Sequence, residues 1–103
     1  MTLKGRDRAA LRGEAHHLKP LVHIGHQGIT PAVTTALDDA LRTHELVKVS
    51  LVRMADLKAK GAAGTLATTL GAEVIQVIGR TFTLYRHNPE LERKAGAEPP
   101  WRG

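Results

Sequence analysis

The chain contains no cysteine. Disulfide frameworks and thiolate metal centres are thereby excluded, the composition suits a reducing compartment, and a cytoplasmic location is the expectation. Aromatic residues are nearly absent too: Phe82, Tyr85 and Trp101 are the whole set. A module that stacks bases on its sheet, such as an RRM or an OB-fold, needs two or three exposed rings on its strands. At most two rings fall in strand-like sequence here, so recognition by sheet stacking is disfavoured. No apolar run approaches the roughly 20 residues of a membrane-spanning helix, and the opening Met1-Thr2-Leu3-Lys4-Gly5-Arg6 lacks a signal-peptide core. No membrane partner is expected. Acidic residues are in deficit, with 10 Asp and Glu against 15 Lys and Arg, a formal net charge of +5 and a pI near 10.1. That balance favours an anionic partner, nucleic acid before lipid.

What is present is organised around Leu18 to Leu41. The apolar run Leu21-Val22-His23-Ile24 has strand character, and Thr30-Pro31 opens an amphipathic helix with Val33, Ala36, Leu37, Ala40 and Leu41 on one face. Between them lies Gly25-His26-Gln27-Gly28, a Gly-x-x-Gly loop joining a strand to a helix N-terminus. Glycines at that spacing let the backbone turn and let another backbone approach closely. Thr30 suits the N-cap, and Pro31 suits the first helical position, where an N–H would be unpaired anyway. The free N–H groups and the positive end of the helix dipole then face the loop, which makes a seat for an anion such as a phosphate. No Gly-Lys-Ser/Thr follows, so the loop is not a Walker motif, and the three-glycine dinucleotide fingerprint is missing.

Along the rest of the 103 residues, a single domain with its own core is expected. Residues 3–17 read as a first helix with Thr2 as a possible cap; Leu3, Ala10, Leu11, Ala15 and Leu18 follow helical spacing, and Lys4, Arg6, Arg8 and Arg12 lie elsewhere on its surface. His16, His17, His23 and His26 cluster in sequence. They lack both the helical i, i+4 pairing and an accompanying carboxylate or cysteine, so no metal and no cofactor are expected. Leu46 to Val52 alternates as a half-buried strand with Lys48 facing out. Asp56 to Leu70 reads as a third helix, with Lys58 and Lys60 outward and Gly71 as its stop. Val74–Ile78 and Thr81–Tyr85 are strands joined by a tight Gly79-Arg80 hairpin. The first of these is apolar on nearly both faces and is expected to be central in the sheet. Residues 88–103 are polar and are expected to form a disordered tail beyond a domain of residues 1–87. The order α-β-α-β-α-β-β implies an α/β fold with a mixed four-stranded sheet and packed helices. No nucleophile–base pair, carboxylate pair or nucleotide loop is visible, so the chain is not expected to be an enzyme.

Taken together, His16-x-Leu18-Lys19-Pro20, Gly25-x-x-Gly28-Ile29-Thr30, His44-Glu45-Leu46-Val47-Lys48-Val49, Val77-Ile78-Gly79-Arg80-Thr81 and Leu84-Tyr85-Arg86 resemble the YhbY/CRM family (chloroplast RNA splicing and ribosome maturation) in one register over residues 3–87. The resemblance implies an RNA-binding domain similar to the C-terminal domain of bacterial translation initiation factor three. It also implies rRNA of the large-subunit precursor as the partner, since stand-alone bacterial members are associated with it, while plant members bind group II introns. Carried over by position, Gly25 and Gly28 match the family's backbone-clamping loop, and Lys19, Lys48, Arg80 and Arg86 match its basic positions. His26, Gln27 and Thr30 complete the expected RNA contacts. His26-Gln27 departs from the fixed positive charge usual in KH loops. The rival reading is a protein-interaction module that docks a ribosomal protein or assembly factor without touching RNA.

Overall fold

A computed structural model describes residues 5–52 and 58–88. In chain order these form α1 (Gly5–Ala15), β1 (Val22–Ile24), α2 (Pro31–His44), β2 (Leu46–Leu51), α3 (Ala59–Leu70), β3 (Glu73–Ile78) and β4 (Thr81–Tyr85). The element order is the expected one. The sheet runs β1-β2-β4-β3, with β1 parallel to β2 and β4 antiparallel to both of its neighbours.

Local chemistry sets the element ends. Thr30 Oγ1 accepts a hydrogen bond from the Val33 N–H at 3.2 Å, and Pro31 occupies the first turn of α2. At the other end Glu45 takes a positive φ, 62° with ψ −43°, and its N–H donates to the Leu41 carbonyl at 2.9 Å. α3 stops at Gly71, whose φ of 65° a side-chain-bearing residue adopts only at a cost. It starts at Ala59, later than Asp56; residues 53–57 lie outside the described residues. Gly79, φ 57°, supplies the positive φ of the two-residue hairpin between Ile78 and Thr81.

The main core lies between one face of the sheet and helices α2 and α3. Val22, Ile24, Val47, Val49, Phe82 and Leu84 meet Leu37 and Leu41 of α2 and Leu66 of α3. Small residues Ala59, Ala62, Ala63 and Ala67 line the sheet-facing side of α3 and let it approach closely. Ala36, expected on the inner face of α2, is exposed. The buried stripe is centred on Leu37 and Leu41, and Ala36 sits roughly 120° around the helix from that centre.

On the opposite face of the sheet, the helix among the described residues covers one end. There α1 brings Leu11 against Leu46, Ile75 and Tyr85. Arg8 fastens the helix to the sheet edge, donating to Glu73 Oε2 at 2.5 Å and to the Val74 carbonyl at 3.1 Å. The rest of that face is polar: the register aligns His23 with Ser50, Ser50 with Thr81, and Lys48 and Gln76 with Thr83, which is buried among them.

The expected central place of β3 is overturned as well. β3 is an edge strand, and β4 is the strand inserted between β2 and β3. Apolar residues on both faces of β3 have another cause. Strand alternation turns Val74 to the main core and Ile75 toward α1, and the register shift between Val74 and Gln76 then returns Val77 to the side of Phe82. Toward the hairpin the strand is less covered by the described residues, and Val77 and Ile78 are 38% and 53% exposed.

Candidate nucleic-acid interface

The topology sends every strand-to-helix connection to the same end of the sheet. α2 and α3 both start from the C-terminal ends of parallel strands, where ligands of open α/β sheets characteristically bind. Both helices therefore present the positive ends of their dipoles there.

At this end Gly25 to Gly28 form a tight turn closed by the Gly28 N–H donating to the Gly25 carbonyl at 3.0 Å. His26 and Gln27 form the exposed tip. The two glycines differ in kind. Gly28 is buried and left-handed, φ 71°, as the turn into α2 requires. Gly25 has an ordinary φ, and a Cβ placed on it would meet nothing within 4 Å. The fold makes no demand for glycine at position 25; the space above it is open to another molecule. Gly25 to Gly28, Thr30 and Val33 surround a shallow depression of about 370 Å³. Thr30 holds the N-terminus of α2 through its hydroxyl, and its carbonyl accepts from Thr34 Oγ1 at 3.1 Å.

Strand ends tie the loop to its neighbours. Val52 N–H donates to the carbonyl of Ile24, the residue before Gly25, at 3.0 Å. Leu51 N–H donates to the Arg80 carbonyl at 2.8 Å. The Gly25–Gly28 loop, the Gly79-Arg80 hairpin and the start of α3 with exposed Lys58 and Lys60 thus share one end of the molecule. Carboxylates of the described residues are placed elsewhere. Asp7 and Glu14 are on α1, Asp38, Asp39 and Glu45 are on the C-terminal half of α2 and its cap, and Glu73 begins β3. Among the described residues the loop end therefore carries cations without a carboxylate of the strands or of α2 beside them.

Residues 3–86 match the family model of the CRS1 / YhbY (CRM) domain. The chain belongs to this family. It is 37% identical over 92 residues to an RNA-binding protein of Haemophilus influenzae, an alignment covering 88% of this chain and 92% of the relative. It is 31% identical over 88 residues to Probable RNA-binding protein YqeI of Bacillus subtilis, covering 85% of this chain and 92% of the relative. A solution structure of a Staphylococcus aureus protein, described as a candidate RNA binder, superposes with a TM-score of 0.75 at 33% identity. That superposition covers 95% of this chain and all of the other.

In this CRM domain the expected site residues fall into three groups. Gly25, His26, Gln27, Gly28, Thr30 and Arg80 come together at the loop end. Lys48 stands half-buried on the sheet face away from the main core, where His23 Nδ1 and Ser50 Oγ are 2.6 Å apart. Lys19 precedes β1 at the opposite end of that strand and is exposed. Arg86 is differently employed. Its guanidinium donates to Asp38 Oδ1 at 2.7 Å and to the carbonyls of Leu70 and Asp38, each at 3.1 Å. With a side chain only 22% exposed, it joins the last turn of α3 to α2. Lys58 and Lys60, which the sequence marked only as outward-facing, are the cations that reasoning missed. The signal was topological: both stand where a helix begins after a parallel strand, as the loop does.

The remaining histidines are spread out. His16 and His17 follow α1 and His26 tips the loop, and among the described residues no three metal-ligating side chains come together. No helix of the described residues is long and apolar enough to cross a membrane.

Proposed function

We propose that this protein is an RNA-binding factor that grips the phosphate backbone at the loop end of its sheet. The large-subunit rRNA precursor is its target, and the site of action is the cytoplasm. One observation carries the reading: an open glycine turn, two helix N-termini, Lys58, Lys60 and Arg80 converge where the described residues place no carboxylate. Phosphate oxygens are the ligand that such a collection of backbone N–H groups and cations suits. The names of the relatives support RNA as the polymer carrying those phosphates. Large-subunit rRNA follows from the family resemblance of the motifs. His26 and Gln27 bring hydrogen bonding without fixed charge, so the flanking lysines and Arg80 provide most of the electrostatic attraction.

The test is binding of bare rRNA fragments, with no protein added, across a salt series. Affinity should fall log-linearly with salt, with a slope reflecting on the order of three to six phosphate contacts. Absence of binding, or a flat response, would favour a protein-docking module instead. Crosslinking in cells, followed by sequencing of the attached RNA, should return large-subunit precursor rRNA.

A further inference from the structure

Next to the loop, on the helix-covered side of the sheet, lies a second and larger cleft of about 510 Å³. Its walls are Leu51 and Val52 at the end of β2, Lys58, Ala59 and Lys60 at the start of α3, and Val77, Gly79 and Arg80 of the hairpin. The cleft exists because β3 is an edge strand and Ala59, at the start of α3, is small. Val77 pairs with Phe82, a main-core residue, yet among the described residues none continues the core over it, and it stays 38% exposed. The floor is aliphatic and the rim is cationic. Such a pairing suits a ligand with a flat apolar body and an anionic handle. The volume lies within the roughly 300–1,000 Å³ typical of small-ligand clefts, enough for a nucleotide. The cleft shares the loop's end of the sheet, since Val52, in its wall, is hydrogen-bonded to the residue before Gly25.

We propose that this cleft seats an unpaired nucleotide of the same strand that the Gly25–Gly28 loop holds. The base lies on Leu51, Ala59 and Val77, and its phosphate meets Lys58 and Lys60. The proposal rests on the RNA reading above and adds to it a preference for single-stranded or unstacked segments, since a paired base cannot leave its stack without cost. It also gives a protein poor in aromatic residues a way to contact bases through aliphatic side chains.

The experiment uses the full chain and two probes, a short single-stranded oligouridylate and the same backbone without bases. Oligouridylate should shift the methyl NMR signals of Leu51, Ala59 and Val77 together with the amide signals of the loop. The abasic probe should bind roughly fivefold more weakly, the loss of one heterocycle face from an aliphatic floor. Val77→Thr keeps the β-branched shape at an exposed edge position and should shrink that difference to about twofold or less. Lys60→Gln should weaken both probes alike. If oligouridylate shifts only the loop signals and the abasic probe binds equally well, the nucleotide seat is wrong while the RNA reading stands. If neither probe, nor any rRNA fragment, shifts a signal, the RNA reading fails as well. If an oligoglutamate peptide, but not oligouridylate, shifts the cleft methyls, the cleft docks a protein and the proposal is overturned.

Discussion

Replacing Arg86 with alanine separates two roles that one arginine can have. As a phosphate contact it would matter to affinity and little to folding. The structure instead ties its guanidinium to Asp38 and to the carbonyls of Leu70 and Asp38, at 2.7–3.1 Å. The Asp38 carboxylate is 42% exposed and lies 3.6 Å from Arg42, so losing Arg86 leaves it neither dry nor alone. That ion pair contributes up to about 1 kcal/mol. Each carbonyl loses a charged donor from a half-buried position, about 1 kcal/mol apiece. The sum is roughly 2–3 kcal/mol, or a fall in Tm on the order of 10–20 °C for a domain of this size. Arg86→Lys restores the charge but not the planar fork, and should recover about half of the loss. Thermal unfolding by circular dichroism reads the first quantity. RNA affinity at matched salt, measured well below the lowered Tm, reads the second and should stay within about twofold of the parent. An unchanged Tm with affinity reduced fivefold or more would refute this account and return Arg86 to the RNA surface.

Other outcomes follow from the loop and the chain end. Replacing His26 and Gln27 with aspartates keeps both glycines, so stability should shift by less than about 1 kcal/mol. RNA affinity should nevertheless drop at least roughly tenfold, because two carboxylates would face phosphates; equal binding at matched salt would make the loop only a turn. Gly25→Ala should leave Tm unchanged or slightly higher, as its site is open and its φ ordinary. Gly28→Ala should cost on the order of 1 kcal/mol or more, because its φ is 71°. Equal melting temperatures for the two would contradict the assigned geometry. Deleting residues 90–103 should leave thermal unfolding nearly unchanged, whereas ending the chain at Arg86 should lower stability by about 1–2 kcal/mol. The shorter chain loses the Asn88 N–H on Glu45 Oε2, at 2.7 Å, and the Asn88 side chain on the Arg42 carbonyl, at 2.8 Å. Comparing the two truncations by chemical denaturation checks this, and equal midpoints would refute it.

Much of the architecture was legible because it is written in short-range chemistry. Thr30-Pro31 marks a helix start, Gly71 a helix stop and Gly79 a hairpin, and each acts within a few residues of itself. The position of β3 was not legible. A strand covered by a helix on each face at one end has the same apolar composition as a central strand, and only the pairing partners distinguish them. Arg86 was misleading for a related reason. Its partner Asp38 is 48 positions away, and an arginine with a distant carboxylate looks, in sequence, like an arginine awaiting a phosphate. The loop was found from its glycines. The lysines beside it were recognised as exposed but not as its neighbours, because adjacency across a sheet end depends on how strands are ordered.

The Asn88 anchor has a practical corollary. Held by Glu45 and Arg42, Asn88 sits at the end of the strands where Leu46 pairs with Tyr85. Strands of five or six residues span roughly 17–20 Å, and that length separates Asn88 from the glycine turn. A fluorophore, an affinity handle or a second domain spliced on just after Asn88 would therefore stand clear of any ligand held at the turn. Such a graft would report on occupancy without competing for it, and two domains joined there could engage separate stretches of one polymer.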